Sequence, residues 1–199
     1  MIRLGLLLPL ALLAASLGCL RPSPSPPVVF YTLQPLTLTG APPARTGLAV
    51  EVLPVRLPEV LQRPQMVVAR GSGTLGLLES HRWGNPLDQD MQRVLAQDLA
   101  LLLGSDAVVP SPYGDQVGAA FRVEVDVLSC DARAGAGLTL EALWLVTRAG
   151  GGPALAVRRT TLVEPLAGPE AEALAAAYSR LVAALAREIA SVLLAAKPG

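Results

Sequence analysis

The order of apolar and polar residues predicts two groups of β-strands, each followed by an amphipathic helix. Short β-branched or alternating runs are typical of strands, and they occur here at 28–33, 47–56, 66–69, 74–79, 107–110, 121–130, 138–147 and 155–163. The short connections predict antiparallel pairing between consecutive strands, and the last three strands should form a meander. Pro54 lies within the second run, so we expect that strand to be an edge strand or to carry a bulge.

Two longer stretches have the periodicity of helices with one apolar face. Asn85 is the predicted N-cap of the first helix, Pro86 suits its first helical position, and Gly104 is expected to end it. The second helix is predicted from Pro169 to Ala196. The predicted buried stripes consist of Leu87, Met91, Val94, Leu95, Leu99, Leu102 and Leu103 in the first helix and of Leu174, Ala177, Tyr178, Leu181, Leu185, Ile189 and Val192 in the second.

This order of elements predicts an α+β fold. We expect a two-layer sandwich in which the two main helices cover one face of a mostly antiparallel sheet. The repeated order of strands and then a helix suggests an internal duplication, with halves at approximately 28–110 and 119–199. Residues 28–199 are long enough to bury a core of their own, so we expect a single domain there.

The first apolar run has the features of a lipoprotein signal peptide. Arg3 precedes an apolar stretch at 4–17, which is shorter than the roughly 20 residues that a membrane-spanning helix needs. Cys19 directly follows a small residue at the end of this stretch, as the acylated cysteine of a lipoprotein does. We expect residues 1–18 to be removed and Cys19 to carry the lipid. Cleavage after the small residues at 14–16, which would give an ordinary secreted protein, is the alternative.

Residues 19–27 are predicted to form a tether between the lipid and the domain. Four of the seven residues at 21–27 are proline, which disfavours a helix and favours a semi-extended spacer. The residue after the cysteine is Leu20 and not aspartate. In a bacterium with two membranes and the common lipoprotein sorting system, this residue directs the protein to the outer membrane, where the domain would face the periplasm.

Charge and cysteine content narrow the function classes. Without Arg3 the chain carries 15 basic and 16 acidic residues, so no net field attracts nucleic acid. The sequence has two cysteines, Cys19 and Cys130, and a lipidated Cys19 leaves Cys130 without a partner for a disulfide. We therefore expect neither nucleic-acid binding nor a disulfide framework.

The candidate catalytic residues form no recognisable constellation. Gly71, Gly73 and Gly76 spell a dinucleotide-binding pattern, but a strand-like run follows them, so a hairpin turn explains them better. The single histidine, His81, is expected to be a polar residue at a strand end. Cys130 is expected to be a small, partly buried side chain and not a nucleophile. We expect a non-enzyme with no catalytic residue, metal or cofactor.

Several short segments resemble, in their order and spacing, the paraquat-inducible protein C-like family of auxiliary lipoproteins of ABC-type transport systems. They extend from about Cys19 to the last helix and comprise Phe30-Tyr31-Thr32-Leu33, Val52-Leu53-Pro54-Val55, Leu57-Pro58, Leu61, Arg63-Pro64-Gln65, Arg82-Trp83, Pro86-Leu87 and Leu138-Thr139-Leu140-Glu141-Ala142-Leu143-Trp144. The resemblance implies a fold like the N-terminal domain of TolB and an outer-membrane-attached subunit that faces the periplasm. It also implies a partnership with an MCE-domain protein that bridges the envelope in lipid traffic between the two membranes.

Arg82 and Trp83 are the candidate partner-binding residues. A tryptophan in a loop beside glycine can anchor an interface, whereas packing beneath the helix that begins near Asn85 is the alternative. The function hypothesis is a lipid-anchored, non-catalytic subunit that docks an intermembrane lipid-transport protein at the outer membrane. The alternative is a stand-alone lipoprotein that binds a small apolar ligand, such as a single lipid, in its own cavity. The sequence leaves self-association open.

Overall fold

The computed structural model describes residues 26–38, 43–71, 73–133, 136–166 and 171–196. The predicted signal peptide, Cys19 and most of the predicted tether therefore lie outside the described residues. Among the described residues, no helix is both long enough and apolar enough to cross a membrane.

The strands and helices follow the predicted order. They are β1 (Val29–Tyr31), β2 (Val50–Val52), β3 (Gln65–Gly71), β4 (Thr74–Trp83), α1 (Leu87–Leu103), β5 (Val108–Pro110), β6 (Phe121–Arg133), β7 (Gly137–Arg148), β8 (Ala156–Glu164) and α2 (Ala171–Ala195). Short 3-10 helices lie at Glu59–Leu61 and Gly114–Val117.

One mixed sheet is organised around β6, its longest strand. On one side, β6 pairs antiparallel with β7 along its whole length, and β7 pairs antiparallel with β8. The other side of β6 is shared between two partners: β2 pairs with it at Phe121–Val123, and β3 meets it at Arg133. The sheet therefore continues from the start of β6 through β2 to β5, and from its end through β3 and β4 to β1. By length of pairing it is mostly antiparallel, which confirms the predicted α+β class.

The pairing of the first strands differs from the prediction. The β3–β4 hairpin and the β6–β7–β8 meander are antiparallel as predicted, but β1 runs parallel to β4, and β2 runs parallel to both β5 and β6. Of the two expectations for Pro54, the edge strand is wrong, because β2 is an interior strand that ends before it. The bulge agrees with the register, because four residue steps from Val52 to Arg56 face three steps of β6. All three residues of β2 are buried, because both faces of the sheet are covered at this strand, with Gly114 lying against Glu51. The two halves share an element order but not a pairing scheme.

The core lies between the sheet and the two helices. Alternate side chains of β6 and β7 are buried, including Val123, Val125, Leu140 and Trp144, and the helices cover this face and contact each other. The indole nitrogen of Trp144 donates to the hydroxyl of Thr160 at 3.0 Å, and this hydroxyl donates to a carboxylate oxygen of Glu188 at 2.7 Å. This chain of hydrogen bonds joins β7, β8 and α2 across the core.

The ends of α1 show which cap prediction is correct. Gly104 terminates the helix in the left-handed conformation at φ 56°, as predicted. The N-cap position is occupied by Pro86 and not by Asn85, and no side chain caps the first turn. The Asn85 prediction is therefore wrong by one residue. Pro86 is also one position before its predicted place, because its ψ of 129° is not helical and the helix begins at Leu87. The side-chain amide of Asn85 donates instead to a carboxylate oxygen of Asp90 at 3.5 Å.

We expect Gly104→Ala to destabilise the protein more than Gly118→Ala. Both glycines have positive φ, which costs alanine about 1 to 2 kcal/mol. At Gly104, however, a Cβ atom would lie 2.7 Å from the carbonyl oxygen of Ala44, whereas at Gly118 it would meet nothing within 4 Å. The clash should add about 1 kcal/mol or more. Urea unfolding of both variants measures the difference, and equal losses would contradict the close approach of residue 44.

Candidate functional site

Three of the segments that carry the family resemblance converge at one corner of the sheet. We call this the motif corner and define it by Tyr31, Pro64, Gln65, Arg82 and Trp83. The parallel β1–β4 pairing sets Tyr31 beside Trp83, and the β3–β4 pairing sets Gln65 beside Arg82. The backbone N–H of Trp83 donates to the carbonyl oxygen of Pro64 at 2.7 Å. Segments up to about fifty residues apart in the sequence are thus held together by backbone hydrogen bonds.

Trp83 lies in the core of the motif corner. Its exposed fraction is 6%, and its ring meets that of Tyr178 on α2 edge-on, with centroids 5.2 Å apart. The side chain of Tyr178 is also hydrogen-bonded to the thiol of Cys130 on β6. Burial raises the pKa of this thiol to about 12. The thiolate is the nucleophilic form of cysteine, so a thiol in this environment is unreactive. This geometry supports the packing alternative for Trp83; partner binding by this residue stays a prediction.

Arg82 and His81 lie beside Trp83 on β4, and both are partly exposed. The Nε atom of Arg82 is buried and has no hydrogen-bond partner among the described residues. Nδ1 of His81 and the hydroxyl of Tyr31 are hydrogen-bonded at 3.1 Å. No group of three or more His, Cys, Asp or Glu side chains in the described part of the chain could hold a metal ion. The glycine-rich stretch is the β3–β4 hairpin, as predicted.

A cleft opens at the motif corner. Its volume is about 390 Å³, and it is lined by Gln62, Arg63, Pro64, Trp83, Gly84, Asn85, Pro86, Leu87 and Asp88. The turn before β3 forms one wall, and the connection from β4 to α1 forms the other. The cleft combines an apolar floor with charged and amide groups on its walls, which suits one or two side chains of a protein partner.

Sequence reasoning missed a second feature, in which the segment after β1 is fastened to the helices. We call residues 32–38 the strap. The backbone N–H of Leu33 donates to a carboxylate oxygen of Asp90 at 2.7 Å, and that of Leu36 donates to Asp98 at 2.6 Å. The backbone N–H of Gln34 donates to the hydroxyl of Ser179 on α2 at 3.1 Å. Only the placement of two carboxylates on one side of α1, eight residues apart, could have indicated this role.

The two carboxylates that hold the strap have different electrostatic surroundings. Asp90 is buried but accepts hydrogen bonds from Arg93 at 2.6 and 2.9 Å, and Arg93 also donates to the carbonyl oxygen of Leu33. Asp98 is fully buried, and its second oxygen has no hydrogen-bond partner among the described residues. Burial raises the pKa of Asp98 from 3.8 to about 6, opposed by the Leu36 N–H and by the charge of Arg187. The strap is therefore fixed by two carboxylates. The negative charge of Asp90 is compensated by Arg93, whereas that of Asp98 is poorly compensated.

An apolar groove lies between the strap and α2. Its volume is about 440 Å³, and its lining comes from strap residues such as Pro35 and Leu36 and from small residues of α2 such as Ala175 and Ala183. Glu172 and Arg180 supply charged groups to its lining. A volume of this size falls in the range of small-molecule sites.

Comparisons with known proteins support the resemblance seen in the sequence. The model of the family described as ABC-type transport auxiliary lipoprotein component matches residues 31–190. A crystal structure of a Xanthomonas campestris protein is similar with a TM-score of 0.67 and 15% identity, covering 82% of this chain and 93% of that one. The crystal structure of an uncharacterized protein is similar with a TM-score of 0.65 and 20% identity, covering 82% and 99%. These structures show the fold alone, and no curated protein matches the chain.

Replacing each of the two strap carboxylates by a neutral amide should change the free energy of unfolding in opposite directions. The native state binds a proton at Asp98 more tightly than the unfolded state does, so this group costs stability above about pH 6 and less as the pH falls towards 4. Asp98→Asn keeps an acceptor for Leu36 and should raise the free energy of unfolding at pH 7.5, by up to about 3 kcal/mol. The gain should vanish near pH 4.

Asp90→Asn is the matched control for this variant. It removes the charge that Arg93 compensates and should lower the free energy of unfolding by about 2 kcal/mol. Thermal or urea unfolding of both variants between pH 4 and 8 shows whether each substitution raises or lowers the free energy of unfolding. A destabilised Asp98→Asn protein at pH 7.5 would show that the Asp98 carboxylate is compensated in solution.

Proposed function

The chain belongs to the family of ABC-type transport auxiliary lipoproteins, and on this premise we propose that it is a non-catalytic docking subunit anchored to the outer membrane. Its partner would be an MCE-domain protein that spans the envelope in lipid transport between the inner and outer membranes. The observation that carries the proposal is the family match over residues 31–190, which covers the strap, the motif corner and most of α2.

The position of the strap supports a role in anchoring. Val29, at the start of β1, is ten residue steps after Cys19, so a lipid on Cys19 would hold the domain within about 35 Å of the bilayer. β1 is paired with β4, and the strap that follows is fixed to both helices. A pull on the lipid would therefore act on the whole domain and not on a loose N-terminal segment.

Exposed apolar side chains at the start of the domain also fit a location close to a bilayer. Val28, Val29 and Phe30 are 41%, 43% and 63% exposed. They follow the proline-rich segment directly, so they are among the described residues nearest in sequence to Cys19. Their exposure to lipid headgroups would cost less than their exposure to water.

We place the docking face at the motif corner, at Arg82 and Trp83. Trp83 would form the apolar floor of the cleft. Arg82 is partly exposed beside the cleft and does not line it, so the outer nitrogens of its guanidinium would donate to a carbonyl or carboxylate of the partner. In this role the side chains position a partner and take part in no bond-making step.

The apolar groove beside the strap favours a second function. A stand-alone lipoprotein that binds a single lipid could hold part of an acyl chain between the strap and α2, where the lining is mostly apolar and about 440 Å³ is available. The two functions differ in what accompanies the protein. A docking subunit arrives with an envelope-spanning partner, whereas a carrier arrives with stoichiometric lipid.

The test is to isolate tagged full-length protein from native membranes in mild detergent and to identify its N-terminus and companions by mass spectrometry. An acylated N-terminal Cys19 together with an MCE-domain protein is the expected result. A Cys19→Ala variant should lose the acyl group and fractionate away from membranes. An acylated protein that repeatedly arrives alone with one bound lipid would replace the docking function with the carrier function.

Arg82→Ala should reduce the amount of partner recovered about tenfold, equivalent to about 1.4 kcal/mol, without lowering the melting temperature. It removes a buried donor that has no partner in the isolated domain, so folding has little to lose. Arg133→Ala, at an exposed arginine at the end of β6, is the matched control and should leave recovery unchanged. Trp83→Ala should instead destabilise the fold by about 3 to 5 kcal/mol, because the side chain is buried. Full recovery of the partner with Arg82→Ala would exclude Arg82 from the docking face.

A further inference from the structure

β8 is an open edge of the sheet. It spans nine residues from Ala156 to Glu164 and pairs with β7 on one side, and no strand among the described residues pairs with its other side. Its register with β7 is continuous, so no bulge interrupts it, and it contains no proline. Natural proteins commonly protect exposed edges with short strands, prolines, bulges or charged residues. Only its two arginines and terminal glutamate give β8 such protection.

The side chains of β8 that point away from the helices include two of the most exposed apolar residues of the described chain. Val157 is 60% exposed and Val163 is 58% exposed. They lie three residues before and three residues after Thr160, which is the middle residue of the strand. This arrangement is symmetric about Thr160, and a strand with that symmetry can pair with a second copy of itself about a two-fold axis.

We propose that β8 is a self-association surface, on which β8 of a second copy of this chain adds as an antiparallel strand centred on Thr160. In this register Val157 lies opposite Val163 of the second copy, and the reverse contact forms on the other side of the axis. All nine residues of each strand are then paired. Each pair of valines covers apolar surface that is exposed in the single chain.

The charges of β8 are compatible with this register. Arg158 faces Leu162 of the second copy and Arg159 faces Thr161, so no two like charges are directly opposite. Glu164 of the second copy is the diagonal neighbour of Arg158, at a distance that long side chains can bridge. The two Arg159 side chains are also diagonal neighbours across the axis, and each is paired with Glu141 of its own chain at 3.4 Å. A register centred on Thr161 would leave the valines opposite Arg159 and Pro165, and one centred on Arg159 would leave them opposite Thr161 and Leu155. Either register would pair only seven residues of β8. The centred register therefore has the better apolar and hydrogen-bonding match.

The contact is expected to be weak between free molecules. One pair of nine-residue strands buries less than the roughly 1,200 Å² of a stable interface. Two copies anchored in the same membrane would meet at a much higher effective concentration. That last step alone depends on the proposed lipid anchor, whereas the pairing register does not.

Disulfide trapping in native membranes tests the pairing and its register. Two differently tagged full-length variants, Val157→Cys and Val163→Cys, are produced separately and together, and the membranes are treated with a mild oxidant. Opposite residues of antiparallel strands have Cα atoms about 4.5 to 5.5 Å apart, within disulfide range. Each variant alone places its two new cysteines about 20 Å apart across the axis. We expect a cross-linked dimer carrying both tags when the two are produced together, and none from either alone.

Matched controls make the outcome decisive. Ser191→Cys lies at an exposed position of α2 and reports random collision, and the wild type reports background from the buried Cys130. Thr161→Cys lies diagonally across the axis from its counterpart in the proposed register, with Cα atoms about 7 to 8 Å apart, and should cross-link less than the mixed valine pair. Absence of the mixed dimer, its formation at the level of the Ser191→Cys control, or a cross-link to a different protein would overturn the proposal. A higher yield of dimer through Thr161→Cys alone than through the mixed valine pair would overturn the register.

Discussion

The pairing of β6 with β7 is the interaction on which the rest of the structure depends. β6 serves two separate groups of neighbours on its other edge: β2 and β5 at its start and β3, β4 and β1 at its end. Its alternate side chains, together with those of β7, form the floor on which both helices pack. A shift of the β6–β7 register by one residue would move these side chains to the opposite face of the sheet and remove the core.

The strap shows how the N-terminal segment becomes part of this core. Its backbone has no strand partner after β1, so the N–H groups of Leu33 and Leu36 are satisfied by side chains of α1. Asp90 performs this role at low cost because Arg93 compensates its charge, whereas Asp98 remains ionised in a buried position at neutral pH. A buried polar contact of this kind can favour one chain path over others even when it lowers stability. The strap thus has a defined path across the helices beside an apolar groove.

Local periodicity predicts the elements that pack through local contacts. The stripes of α1 and α2 and the alternation in β6 and β7 are visible in the sequence because each repeats over many residues, and a short connection determines the β3–β4 hairpin. The parallel pairs of β2 with β5 and β6 could not be predicted, because three residues contain no signal that selects partners 58 and 71 residues away. Asp90 and Asp98 were missed for a related reason. An acidic residue on a helix normally indicates a solvated face, and only the tertiary path of the strap makes these two buried hydrogen-bond acceptors.

The edges of the sheet carry different surfaces of the protein. β1, which follows the proline-rich segment, is one edge of the sheet, and β8 is the edge reached through β6 and β7 in the other direction. The motif corner lies on the β1 side, where Trp83 connects β4 to α2. The strap and the end of β8 contact neighbouring residues of α2, because Ser179 accepts a hydrogen bond from Gln34 of the strap and Arg180 donates to Glu164 of β8. A second copy paired on β8 would therefore end close to the strap, so assembly in the membrane and the position of the anchored segment would be coupled.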